Sequence, residues 1–229
     1  MQKSKRQSIV VEFIKKYHDV QISEIASHVD SSQSTIRRDI KELVKLGQIK
    51  EVYGSVIYVD QNEADIKRHM RTDIHKEAKE IIGEKAAAFI TGGQFIFIDA
   101  GSTTFQMVKH IKSSGCTFVT SGIDIASELL KQGHSVIILG GPIKPITEAV
   151  VGEQAIEFLK SLYFDIAFIG TNGVSEIGYS TPDPREGLIK KTVIDRSRYT
   201  YVLSDTSKQG KTTSFVFASP KEATLITEQ

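Results

Sequence analysis

The sequence predicts an α/β protein in two parts: a small N-terminal helix-turn-helix module with a following hairpin, then a larger Rossmann-like, mainly parallel α/β domain. Three observations carry this. Apolar residues recur at helical spacing between Ser8 and Gly47. A polar, charged stretch from Asp60 to Asp73 then separates the two parts. Beyond it, short apolar runs alternate with helical segments, and several runs end in glycine-containing loops. The expected boundaries are 1–58 for the first domain, 59–74 for a linker and 75–229 for the second domain.

The bulk numbers fit this division. The chain has 229 residues, 40% hydrophobic and 25% charged, the composition of a soluble globular protein with one large or two unequal domains. The net charge is +1, so any basic footprint is local. Cys116 is the single cysteine; it excludes an intrachain disulfide and points to a reducing cytoplasm. The first residues, Met1 to Gln7, do not read as a signal peptide. No run approaches the ~18 consecutive apolar residues of a spanning helix, so no membrane partner is expected. The histidines are scattered without an i, i+4 pair, and neither a metal nor a cofactor is expected.

In the first part, Ile9, Val10, Phe13 and Ile14 form one stripe of a helix over 8–17. Val20, Gln21 and Ile22 break the pattern, and Glu24 to Val29 form a short second helix. Ser31 or Ser32 is the N-cap of a third helix. Its Ile36, Ile40 and Leu43 face a core until Gly47, placed as a C-terminal cap. The apolar residues Ile49, Val52, Val56 and Ile57 flank a turn at Tyr53 and Gly54, which reads as a hairpin. In such a module the second helix of the pair enters the DNA major groove. Burial of Ile36 and Ile40 turns Gln33, Ser34, Arg37, Arg38 and Lys41 outward. Gln reads adenine and Arg reads guanine bidentately, while Ser and Thr hold a base or a phosphate. Lys3, Lys5 and Arg6 are expected to add backbone contacts. The alternative is a three-helix packing module whose Arg37 and Arg38 are merely solvated.

In the second part the expected order is a strand at 95–98, a helix at 103–111, a strand at 117–120, a helix at 123–130 and a strand at 135–139. A helix at 153–162, a strand at 166–169 and a helix at 187–196 follow, then strands at 199–203, 215–217 and 224–226. Ligands of such sheets sit outside the carboxyl ends of the strands. The loops Asp99-Ala100-Gly101-Ser102-Thr103-Thr104, Thr120-Ser121-Gly122, Gly140-Gly141 and Gly170-Thr171-Asn172-Gly173 converge at that edge. Hydroxyls and amides at a helix start favour an anion, although Ser and Thr there are also ordinary caps. Lys208 follows another strand and is placed to meet a phosphate. Glu153, Asp183, Glu186 and Lys190 are possible acid–base groups of an enzyme, but surface ion pairs on helices account for them more simply.

These residues carry a resemblance. Arg6, Val10 and Ile14, followed by Ser32-x-x-Thr35-Ile36-Arg37-Arg38-Asp39-Ile40, are similar to the signature of the DeoR family of regulators. The likeness continues through Asp99-x-Gly101-Ser102-Thr103-Thr104, Gly170-x-x-Gly173 and Asp205-x-Ser207-Lys208, over nearly the whole chain. It implies a winged helix-turn-helix that binds double-stranded operator DNA through Ser32, Gln33, Ser34, Thr35, Arg37, Arg38 and Lys41, with Tyr53 and Gly54 in the wing. The family wing carries a His-Gly-Gly-Ala type turn after an Arg, whereas this chain has Lys50 to Val56, with Gly54 keeping the turn. The resemblance also implies a sensor domain similar in fold to sugar-phosphate isomerases, with a phosphorylated sugar as effector. Ser102, Thr103 and Thr104 would hold the phosphate with Lys208 nearby, and Asp99 and Asn172 would meet sugar hydroxyls. Gly101, Thr120, Gly170 and Gly173 complete the effector set; Asn172 stands where the family commonly has Asp. Family members continue after Thr227 into a further helix, so an incomplete sheet edge is expected. The function implied is a non-enzymatic repressor of sugar-metabolism genes, a homo-oligomer (dimer or tetramer) whose DNA heads are repositioned by the effector. The rival is a sugar-phosphate isomerase or hydrolase with an appended helical module.

Overall fold

A computed structural model describes residues 3–17, 19–45, 49–52, 55–58 and 75–229. They fall into two compact units, one within 1–66 and one within 67–229. The cap expected at Gly47, the wing tip at Tyr53 and Gly54, and the linker expected at 59–74 lie outside the described residues.

The first unit runs α1 (Lys3–Tyr17), β1 (Asp19–Gln21), α2 (Ile22–His28), α3 (Gln33–Lys45), β2 (Ile49–Val52) and β3 (Ser55–Tyr58). Its helices converge on one core that includes Val10, Ile14, Ile25, Ile36, Ile40, Leu43, Ile49 and Val56. The helix α1 begins at Lys3 rather than at Ser8. The segment that breaks the helical pattern is itself a strand: β1 joins the hairpin by pairing antiparallel with β3, from Asp19↔Ile57 to Gln21↔Ser55. Ser32 caps α3, its Oγ accepting the Thr35 N–H at 3.3 Å.

Among the described residues, one polar group enters this core. Asp39, on the inward side of α3, is 1% exposed. Arg6 reaches it from α1, donating Nε–H to Oδ2 at 2.5 Å and Nη2–H to Oδ1 at 3.2 Å. This bidentate pair fixes the axial rotation of α3 relative to α1. Lys3 donates to Glu42 Oε1 at 2.7 Å and Gln7 to Glu42 Oε2 at 2.9 Å, along the same seam. Arg6 therefore serves as a strut between helices, while Lys3 pairs with Glu42 at the exposed end of the same seam.

The second unit contains α4 (Lys76–Ala87), β4 (Phe95–Ile98), α5 (Ser102–Val108), β5 (Thr117–Thr120), α6 (Ile123–Lys131) and β6 (Ser135–Ile138). A hairpin of β7 (Ile143–Lys144) and β8 (Ala149–Val150) precedes α7 (Glu153–Lys160), β9 (Phe164–Gly170), β10 (Gly173–Ser175), β11 (Gly178–Thr181) and α8 (Pro184–Asp195). Then come β12 (Ser197–Leu203), β13 (Phe215–Ala218) and β14 (Thr224–Ile226). Six strands form one parallel sheet in the order β14-β12-β9-β4-β5-β6. Alternate side chains serve opposite faces. Ile96, Ile98, Phe118, Ile166 and Phe168 pack with α4, α5 and α6. Phe97, Val119, Ala167, Ile169 and Val202 pack with α7 and α8. Burial on both faces explains the unbroken apolar runs.

The second unit departs in part from the expected order, with the short strands β7, β8, β10 and β11 added. The helix α4 is additional. The run at 215–218 does not join the parallel sheet but forms a separate three-stranded antiparallel sheet, β10-β11-β13. The last run forms β14 with the expected bounds, at the sheet edge and parallel with β12. Lys85 of α4 holds the segment after it, donating to the carbonyls of Thr227, Glu228 and Gln229 at 2.7–3.0 Å.

Gly83 sits where α4 crosses α5. A Cβ there would lie 2.8 Å from the Met107 nitrogen and 3.0 Å from the Gln106 carbonyl carbon, both backbone atoms. At an exposed helix position Gly→Ala is stabilising by roughly 1 kcal/mol. Here the sign inverts: Gly83→Ala is expected to lower stability by about 1–3 kcal/mol through overpacking, measured by urea unfolding.

Candidate functional sites

The α3 helix presents the first candidate. Ser32, Gln33, Ser34, Arg37, Arg38 and Lys41 are exposed and Thr35 is half-buried, while Ile36, Asp39 and Ile40 are buried. The polar face and the core face are thus set by one helical period, as the spacing predicts. Ser32 Oγ also lies 2.9 Å from Ser34 Oγ and from Thr35 Oγ1. These hydroxyls cluster where the helix leaves its first backbone amides open.

The second candidate follows from strand order. From β4 the chain steps outward through β5 and β6, then returns to β9 on the other side of β4. The loops after β4 and β9 therefore diverge to opposite faces, and it is at such a reversal that sheets of this kind leave a crevice for a ligand. Asp99 stands at this point. Its N–H continues the ladder to the Phe168 carbonyl at 3.0 Å. Its carboxylate Oδ2 accepts the Gly170 N–H at 3.0 Å and a short bond from Lys190 Nζ on α8. Asp99 is 4% and Lys190 5% exposed. Lys190 is therefore a buried partner of the crevice and not a member of a surface ion pair.

Hydrogen bonds tie the neighbouring loops together. Ala100 N–H donates to Ser121 Oγ at 3.3 Å, and the Val150 N–H donates to the Ser121 carbonyl at 2.7 Å. From the β7–β8 hairpin Lys144 donates to Asp183 Oδ2 at 3.1 Å and to Glu186 Oε1 at 3.2 Å. Thr147 Oγ1 donates to the same Glu186 oxygen at 2.6 Å. Asp183 caps α8 by accepting the Arg185 N–H. The Arg185 side chain, foremost, holds the Asp183 carboxyl far below the usual carboxylate range, with Lys144 adding to the effect. Glu186 is likewise drawn into the crevice wall and is not a solvated surface charge; Glu153, by contrast, is exposed in the first turn of α7.

The expected effector residues divide into two groups. Ser102 and Gly101 are half-buried and Thr103 is at the rim of burial, all beside Asp99. Thr104 is fully buried, and its hydroxyl donates to the Asp99 and Gly101 carbonyls at 2.6 and 3.0 Å. Thr120 is also fully buried, and its Oγ1 accepts the Gly122 N–H at 3.0 Å. Both residues brace loops and offer no side-chain oxygen to a ligand. Gly173 is closed off as well: a Cβ there would lie 2.6 Å from the Lys211 carbonyl oxygen. Asn172 Oδ1 accepts from Thr181 at 3.3 Å. Lys208 ends the turn after β12 and is 7% exposed; burial, aided by Lys211, pushes its ammonium down to about 8. Lys144, Glu186 and Lys190 are the residues that sequence reasoning passed over as crevice members. The Glu186-x-x-x-Lys190 spacing puts both on one helix face, but nothing local says which way that face points. Among the described residues no group of His, Cys, Asp and Glu is placed to hold a metal ion.

Comparison with known proteins finds a family match in each unit. Residues 6–62 match the DeoR-like helix-turn-helix domain, and residues 74–229 match the DeoR C terminal sensor domain. The chain is 35% identical over 226 residues to the HTH-type transcriptional regulator FruR of Bacillus subtilis, covering 97% of this chain and 89% of that protein. It is 28% identical over 227 residues to the transcriptional repressor GlcR of the same organism, with 99% and 88% covered. It is also 28% identical over 215 residues to the glycerol-3-phosphate regulon repressor of Escherichia coli, with 92% and 84% covered. Among solved structures, translation initiation factor eIF-2B from Pyrococcus horikoshii shares the fold at a TM-score of 0.53 and 14% identity, covering 100% of this chain and 82% of that one. Ribose 5-phosphate isomerase from Plasmodium falciparum aligns at a TM-score of 0.43 and 19% identity, over 57% of this chain and about half (52%) of that one. With a family match across each of its two units, the chain belongs to the DeoR family of transcriptional regulators.

Proposed function

We propose that this protein is a repressor of sugar-metabolism genes that leaves its operator when a phosphorylated sugar occupies the crevice beside Asp99. The observation that carries the reading is the strand reversal at β4 and β9, which assembles a buried carboxylate, a buried ammonium and the Ser102–Thr103 helix start at one sheet edge. Relatives named as repressors, one of them of a glycerol-3-phosphate regulon, support the same chemistry. The operator is read by Gln33, Ser34, Arg37, Arg38 and Lys41, with Ser32, Thr35, Tyr53 and Gly54 on the backbone. The phosphate is taken by Ser102 and Thr103 with Lys208, and Asp99, Gly170 and Asn172 meet the sugar. The domains divide as 1–58 and 75–229 around a linker at 59–74. The working form is a cytoplasmic homo-oligomer, dimer or tetramer, because helix-turn-helix modules read paired half-sites. Effector and operator then oppose each other by the same factor in both directions.

The protein is not an enzyme in this reading. The rival, a sugar-phosphate isomerase or hydrolase, is favoured by one observation, the buried Asp99–Lys190 pair, which resembles an acid–base couple. A turnover assay on a panel of sugar phosphates decides between them, since binding without turnover fits only the sensor.

Three outcomes follow. Arg37→Ala and Arg38→Ala each weaken operator binding about tenfold or more at fixed salt, the value of one bidentate base contact; unchanged affinity in fluorescence anisotropy contradicts the assignment. Asp39→Asn loosens the Arg6 strut, so operator affinity falls while the salt dependence of non-specific binding stays that of wild type; a reduced salt slope would make Arg6 a phosphate ligand instead. Thr103→Ala weakens release by the effector, seen as a right-shifted sugar-phosphate titration of the operator complex; an unshifted titration removes Thr103 from the phosphate site.

A further inference from the structure

The parallel sheet ends at β6, its outermost strand beside β5. An exposed edge strand ordinarily carries a charge, a proline or a bulge, which keeps other chains from adding to it. The β6 edge has none of these: Ser135, Val136, Ile137 and Ile138 run in unbroken register with β5. The crossover helix α6 packs on β5 and β6. Ile125, Ala126 and Leu129 take its buried side. A right-handed crossover and a right-handed helical turn then aim Ile123 and Leu130 sideways, beyond β6 and away from α5. Val136 packs on the α6 side of the sheet, and Ile138, two residues on, shares that side. Ile123, Leu130 and Ile138 are 40–60% exposed. Single exposed apolar side chains are ordinary, whereas a contiguous set along one edge marks a contact surface.

Charge selects the partner. When two identical patches meet, each unpaired charge comes close to its own copy, so a self-contacting patch is neutral or internally paired. Ile123, Ser127, Leu130, Val136, Ile137 and Ile138 are all uncharged. The bordering Lys131 and Glu128 pair with each other at 3.2 Å. Geometry selects the same partner. A rise of about 1.5 Å per helix residue and about 3.3 Å per strand residue sets Ser127, mid-α6, level with Ile137 in β6. One two-fold axis at that level, perpendicular to the sheet, makes both the β6 strands and the α6 helices antiparallel neighbours. The α6 axes then lie about two strand spacings apart, roughly 10 Å, the packing distance of helices. Val136 falls opposite the partner's Ile138, and Ile123 opposite the partner's Leu130.

We propose that the β6 edge and the outer side of α6 form an isologous interface between two copies of this chain, joining their parallel sheets through antiparallel β6 strands. This gives the homo-oligomer proposed above its contact surface and rests on that reading.

The test is sedimentation equilibrium of the full-length chain. Wild type should sediment as a dimer or a larger even assembly. Leu130→Lys and Ile123→Glu should each raise the dissociation constant at this contact at least about tenfold, because each buries an unpaired charge at two symmetric places. Both positions are exposed in the single chain, so circular dichroism should remain that of wild type. Mixed together, the two variants should associate again, since Leu130→Lys in one copy faces Ile123→Glu in the other while the second contact stays Ile123 against Leu130. Ile177→Lys, at an apolar position 62% exposed elsewhere, should keep the wild-type mass. Wild-type mass in both single variants, an equal loss in Ile177→Lys, or a mixture that fails to associate overturns this interface and leaves the homo-oligomer reading standing. A wild type that stays monomeric, with and without operator DNA, overturns both.

Discussion

A parallel sheet whose strand order reverses must open a gap at the reversal, because consecutive crossover connections then lie on opposite faces. In this chain the reversal falls between β4 and β9, and the rest of the sensor unit is arranged around it. The α5 and α6 crossovers cover one face, and α7 and α8 the other. The two loops at the gap are joined by a single side chain, Asp99, which accepts from Gly170 across it. Lys190 then sets the charge balance, since burying a carboxylate without a paired cation is costly.

The same logic operates in the DNA-reading unit on a smaller scale. Its core is aliphatic, and a small module has little apolar area with which to fix one geometry. The Arg6–Asp39 pair supplies directional constraint that Ile36 and Ile40 cannot, because methyl packing tolerates rotation and a bidentate ion pair does not. It also separates neighbours with different work. Arg37 and Arg38 face outward, while Asp39, next in sequence, faces inward and anchors them. The residues shared with the family signature thus include both readers and struts, and spacing alone does not distinguish them.

Much of this was legible in the sequence. The strands at 95–98, 117–120 and 224–226 have the bounds that their apolar runs predict, because a run flanked by turn residues defines both ends. The helix α4 was not legible because Gly83 interrupts its pattern; the glycine answers to α5, a contact made across more than twenty residues. The strand β1 and the hairpins β7–β8 and β10–β11 have two to four residues per strand, too short to show a period. In the crevice, the Gly101-Ser102-Thr103-Thr104 motif located the loop but not the direction of each hydroxyl. Thr104 turns inward because its Oγ1 satisfies the Asp99 and Gly101 carbonyls. Lys190 lies 91 residues from Asp99, and only the sheet order brings them together.

The central claim is that one chain couples operator binding to a sugar phosphate, and it is tested most directly in a single cuvette. A fluorescent operator duplex is saturated with the protein at fixed salt, and hexose phosphates are titrated in while anisotropy is followed. The account predicts a saturable fall to the value of free DNA with at least one hexose phosphate, and no fall with the parent unphosphorylated sugar. Anisotropy that stays at the bound value through the whole panel, with a hexose phosphate shown by calorimetry to occupy the protein, would contradict it.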